Sequence, residues 1–161
     1  MTKQEFKKAL TRYFTFRGFC HKSSHFYYDS GTDFVIVFGL QMSNYGDYCY
    51  MEHGYCIKQI SKDIPFPKTY QLNLNAGRLM FGRGKTIVFS ECDNEYMLCI
   101  EEKIDEEFKM MLNLVKEGKD KLIDYYLIHQ QDKSWYVLSD RTAGFFGKTR
   151  NDFQYHFVDE G

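Results

Sequence analysis

Apolar residues recur at helical spacing near the start of the chain: Phe6, Ala9, Leu10, Tyr13 and Phe14 share one face. A helix over residues 3–17 is therefore expected. Thr2 and Glu5 have the spacing of a capping box, and Gly18 suits a left-handed helix end. The period then changes to two. His25-Phe26-Tyr27-Tyr28 reads as a strand, followed by a turn at Asp29-Ser30-Gly31. Over residues 33–42, Phe34, Ile36, Phe38, Leu40 and Met42 point one way, and Val35, Val37, Gly39 and Gln41 the other. After a turn around Gly46, a long strand over residues 48–59 places Cys49, Met51, His53, Tyr55 and Ile57 on one face. Tyr48, Tyr50, Glu52, Gly54 and Cys56 occupy the opposite face, and a hairpin is the economical pairing.

Ile64-Pro65-Phe66-Pro67 interrupts the sheet, because proline supplies no ladder donor. Short strands are expected near residues 70–74, 85–90 and 96–100. Ile104, Phe108, Met111 and Val115 form a helical stripe over residues 103–117, closed by Gly118. A second helix over residues 119–130 carries Leu122, Ile123, Tyr126 and Leu127. From Trp135 onward the pattern suggests a short strand, a glycine-containing loop over residues 143–147 and a final aromatic strand. The fold class is α+β: a largely antiparallel sheet covered by the amino-terminal helix and two later helices, in a single domain over residues 1–161.

Composition sharpens this picture. With 43% apolar and 27% charged residues, the chain is globular rather than disordered. Its 13 tyrosines favour half-buried sheet faces and interfaces, where the ring packs and the hydroxyl stays wet. The polar amino terminus lacks the apolar core of a signal peptide, and no apolar run approaches the ~20 residues that span a bilayer. A cytoplasmic location without membrane association is expected, and five cysteines at irregular spacing fit a reducing compartment. The net charge is −1, yet the charges are sorted. Residues 54–86 hold six basic residues against Asp63 alone, whereas residues 91–107 hold eight acids against Lys103 alone. Such blocks either present a partner surface or neutralise one another in the fold, and the second is the expectation.

The motifs that suggest chemistry do not carry it. Gly82-Arg83-Gly84-Lys85-Thr86 ends like a phosphate-binding loop, but Leu79 stands where the motif needs glycine, and Ile87-Val88-Phe89 continues as a strand rather than a helix. A basic hairpin turn is the better reading. Cys49, His53 and Cys56 are metal-capable, but on a strand Cys56 faces away from the other two. Buried thiols and a partnered histidine are expected there. Nucleophile, metalloprotease and dinucleotide signatures are absent, so no catalytic residue, metal or cofactor is assigned. Phe145, Phe146, Lys148 and Arg150, with Phe153, Tyr155 and Phe157, interleave aromatics and cations as nucleic-acid binders do. The slightly acidic chain argues against that role.

Taken in order, the amino-terminal helix, Gly18-Phe19, Phe26-Tyr27-Tyr28, Gln41-Met42-Ser43 with Tyr45-Gly46, and Gly77-Arg78-Leu79 resemble a family of small bacterial proteins known only as a domain of unknown function. The resemblance covers residues 3–82, departing at Met42 where that family has lysine, and it implies a small α+β domain with no assigned activity. Two functions stay open. One is a non-enzymatic module, immunity-like or regulatory, that recognises a protein partner through an aromatic sheet face. The other is a small-molecule binder or enzyme whose pocket uses Gln41, Ser43, Tyr48 and Tyr50 on one sheet face, with Arg78 reaching in from a later segment. Against both, Gln41 and Ser43 could simply tie down the hairpin, and Arg78 could serve an ion pair.

Overall fold

In the computed structural model of the chain, which describes residues 1–129, 138–149 and 152, helix α1 spans Lys3–Phe16. Both its ends close as the sequence predicts. The Glu5 N–H donates to Thr2 Oγ1 at 3.2 Å, and the Glu5 carboxylate accepts from the Thr2 N–H at 2.7 Å. Gly18, at φ +88°, lets the Gly18 and Phe19 N–H groups turn back onto the carbonyls of Thr15 and Phe14.

Strands β1 (Cys20–Lys22), β2 (His25–Asp29), β3 (Phe34–Met42) and β4 (Tyr48–Ile57) form an antiparallel meander. Strands β5 (Leu74–Arg78) and β6 (Ile87–Val88) both pair with β4, which completes a six-stranded sheet. The β3–β4 register sets Phe34 opposite Ile57, Phe38 opposite His53 and Gln41 opposite Tyr50, as the alternation requires. The face carrying Phe34, Ile36, Phe38, Cys49 and Met51 is buried beneath the helices. At its centre Phe14 of α1 stacks on Phe26 at 4.1 Å, with Phe38 and Phe19 against it. This large aromatic contact ties α1 to the sheet.

Helix α2 spans Asn94–Glu117, so it begins well before the expected start. The strand expected over residues 96–100 is instead its first turns. Asp93 caps it by accepting from the Tyr96 N–H at 2.7 Å. Tyr96, Met97 and Ile100 extend the buried stripe of Ile104 and Met111 backward at helical spacing, and that periodicity outweighs local strand propensity. Glu101-Glu102 and Glu106-Glu107 lie inside the helix. Tyr13 donates to Asp105 Oδ1 at 2.5 Å, and Arg17 grips the same carboxylate through Nε at 2.7 Å, which clamps α1 to α2. Helix α3 (Lys119–His129) buries Leu122, Ile123 and Tyr126.

Three other expectations change. Residues 69–71 form a 3₁₀ turn, so β5 starts only at Leu74. The strand expected over residues 85–90 shrinks to β6, followed by a 3₁₀ turn at Phe89–Glu91. The expected loop over residues 143–147 is mostly helix: α4 spans Asp140–Phe145, capped by Ser139. The strands expected at Trp135 and beyond Phe153 lie outside the described residues. No helix among the described residues is long and apolar enough to cross a membrane.

The other sheet face is half covered. The chain between β4 and β5 folds over it, burying Tyr27, Val37, Cys56 and Leu72 in a second cluster, and the Tyr27 hydroxyl donates to the Pro67 carbonyl at 3.1 Å. Beyond that cover this outer face stays open, and on it lie the residues singled out from the sequence.

Candidate functional site

Four of the five predicted residues converge on the open half of the outer face. Strand pairing sets Gln41 opposite Tyr50 and Arg78 opposite Glu52. Arg78 Nη2 donates to Gln41 Oε1 at 2.8 Å, and Nε lies 3.7 Å from Glu52 Oε1. Its guanidinium carbon sits 3.8 Å from the centre of the Tyr50 ring, and Tyr48 meets Tyr50 edge-on at 5.7 Å. One cation is thus held flat on an aromatic ring by an amide and a carboxylate. Ser43 does something else. Its hydroxyl accepts from the Tyr45 N–H at 3.0 Å, and its own N–H donates to the Tyr48 carbonyl at 3.0 Å, so it ties the hairpin turn. Tyr45, at the tip, is 96% exposed.

The covered half borders this strip through His25, whose Nε2 accepts from the Thr69 N–H at 3.3 Å. Burial first, then the charge of Lys68, lowers the His25 pKa, while Glu52 opposes them. Lys68 and Glu52 therefore act on the same edge of the strip. No ion pair joins the two charge blocks among the described residues. Among the described residues, Lys58 pairs with Asp29, Arg78 with Glu52, Asp105 with Arg17, and Glu106 and Glu107 with Lys103. Lys62, Lys68 and Lys85 make no ion pair among the described residues, and all three are exposed.

A cleft of about 840 Å³ opens where the β5 edge faces α2 and α3. Of the five predicted residues, only Arg78 lines it. The alternation placed His53 on the core face of β4, where it is 94% buried with its ring stacked 5.8 Å from Phe38. It is a partnered histidine. Nδ1 lies 2.9 Å from the Gly77 carbonyl, an acceptor only, so Nδ1 carries a proton and donates. Nε2 then faces Glu107 Oε2 at 3.6 Å, within ion-pair distance. Lys103 reaches Glu107 Oε1 at 3.1 Å from one turn earlier. His53 first, and then Lys103, pull the Glu107 carboxyl down to about 2 against the opposing effect of its burial.

The far wall of the cleft is aromatic. Tyr125 and His129 stack at 4.0 Å, and the Tyr125 hydroxyl donates to Met110 Sδ at 3.0 Å. None of Lys103, Glu107, Tyr125 or His129 was singled out as a site residue from the sequence. The signal within reach was a histidine on an otherwise apolar strand face, which needs a polar partner from another element.

A comparison with known families matches residues 10–143 to the one described as Domain of unknown function (DUF4304). No curated protein and no solved structure matches the chain.

Proposed function

The chain belongs to the DUF4304 family of domains of unknown function, and we propose from its geometry that it is a non-enzymatic recognition module for a protein partner. The partner sits on the open half of the outer sheet face. The observation that carries this reading is Arg78, fixed on Tyr50 by Gln41 and Glu52 before any partner arrives. Tyrosine and arginine dominate the energetics of protein interfaces, and a side chain already held in place loses less entropy on binding. The partner surface is acidic, because Lys68, which acts on the same edge of the strip as Glu52, is exposed and makes no ion pair among the described residues. An immunity-like or regulatory role in a bacterial cytosol is the setting we propose for it.

The test uses the tagged full chain and quantitative mass spectrometry of what it retains from its native lysate. The wild type is expected to hold one acidic protein at near-stoichiometric yield. Arg78→Ala should weaken that capture about 10-fold or more, the size of an interface hot spot, while its melting temperature changes little because Arg78 is exposed. Equal retention by both forms, or no stoichiometric protein at all, would remove this reading.

A further inference from the structure

The cleft between the β5 edge and helices α2 and α3 shares only Arg78 with the predicted site residues, and its polar groups are unevenly matched. Its two carboxylates are already engaged, Glu52 by Arg78 and Glu107 by Lys103 and His53. Lys85 also lines the cleft, but it is exposed and makes no ion pair among the described residues. The Nη1 nitrogen of Arg78 takes no part in the contacts with Gln41 and Glu52. What the cleft offers a ligand at this end is therefore donors and positive charge. Opposite, the stacked Tyr125 and His129 rings and the Met110 thioether offer a flat, polarisable wall.

At about 840 Å³ the hollow suits a small metabolite rather than a single ion. We infer that this cleft binds a small organic anion, with its carboxylate or phosphate against Lys85 and Arg78 and its aromatic body on the Tyr125–His129 wall. The buried His53–Glu107 contact forms the floor and holds β4 to α2 beneath the ligand. This site shares Arg78 with the protein-partner reading, but Gln41, Tyr48 and Tyr50 do not line it, and Lys85, Tyr125 and His129 do.

Calorimetric titration of the full chain tests the inference with adenosine 5′-monophosphate, salicylate and indole-3-acetate as aromatic anions. Inorganic phosphate serves as the anion without a body, and adenosine as the body without an anion. At least one aromatic anion is expected to bind with a Kd below about 1 mM, and both controls at least about 10-fold more weakly. Binding of the monophosphate alone would assign a phosphate ligand, and binding of the two acids alone a carboxylate. Lys85→Ala should weaken the binding about 10-fold and flatten its salt dependence, without changing the melting temperature. His129→Ala should weaken it while keeping the salt dependence. Absence of binding by all three aromatic anions, phosphate binding as tight as theirs, or a Lys85→Ala variant that binds like the wild type would each overturn the inference.

Discussion

Gly54→Ala is expected to cost about 3 kcal/mol, the upper end for overpacking a close contact, and to loosen β5 from β4. A Cβ at position 54 would stand 2.2 Å from the Leu74 carbonyl oxygen and 3.1 Å from the Asn75 Cα. Both are backbone atoms of the neighbouring strand, so relief requires β5 itself to move. The approach is this close because the β4–β5 register slips between His53 and Gly54, where two β5 residues oppose one on β4. Gly39→Ala is the natural comparison. Its Cβ would meet Thr69 Cγ2 at 2.5 Å and His25 Cδ2 at 2.6 Å, both side-chain rather than backbone atoms. Urea unfolding followed by circular dichroism should therefore show a smaller loss for Gly39→Ala than for Gly54→Ala. Because β5 carries both Arg78 and the Gly77 carbonyl that holds His53, Gly54→Ala should also impair the outer-face strip and the cleft together.

Glu107→Gln is expected to lower stability at neutral pH by up to about 3 kcal/mol. The sign follows from protonation. In the folded protein the carboxyl titrates at about 2, below its ordinary value of 4.5, so between these values the unfolded chain binds more protons. The stabilisation is complete above about pH 5 and is lost as the pH falls toward 2. The gap between wild type and Glu107→Gln in urea midpoints should therefore be widest near neutral pH and close progressively in acid. A gap that stays constant from pH 7 to about pH 3 would mean that Glu107 stabilises by packing rather than by charge. The side chain is 19% exposed, so solvent screens the contact little, and the effect should persist in moderate salt.

The parts of the fold that could be read from the sequence are those where one period runs unbroken. The β3–β4 hairpin is such a case, because alternation over nine and ten residues forbids any one-residue slip that would expose the apolar face, and the short turn fixes the rest. The first turns of α2 were not legible in the same way. Residues 96–100 form a short apolar run that suits a strand as well as a helix, and only the cap at Asp93 with the continued stripe decides between them. Near β5 the polar side chains carry the structure. Asn75 Oδ1 accepts from the Gly77 N–H at 2.7 Å and shapes the bulge, which no hydrophobic pattern records.

The outer-face strip was partly legible for the same reason. Alternation alone places Gln41, Tyr48 and Tyr50 on one face, but the arrival of Arg78 depends on pairing with a strand beyond a proline-containing connection. The cleft was not legible. His53, Lys103 and Tyr125 meet across β4, α2 and α3, and nothing in their local spacing links them. Pairings of that kind are set by how the helices cross the sheet, which depends on the whole core.

Site-specific photocrosslinking shows whether the open half of the outer face receives a protein partner. A photoreactive residue would replace Tyr48 on the strip in one form of the chain. In a control form it would replace Phe16, which is 89% exposed at the end of α1. Position 48 is expected to yield one crosslinked acidic protein that disappears when Arg78→Ala is added, while position 16 yields none. Crosslinking of the same protein from both positions, or from position 48 regardless of Arg78, would contradict the account.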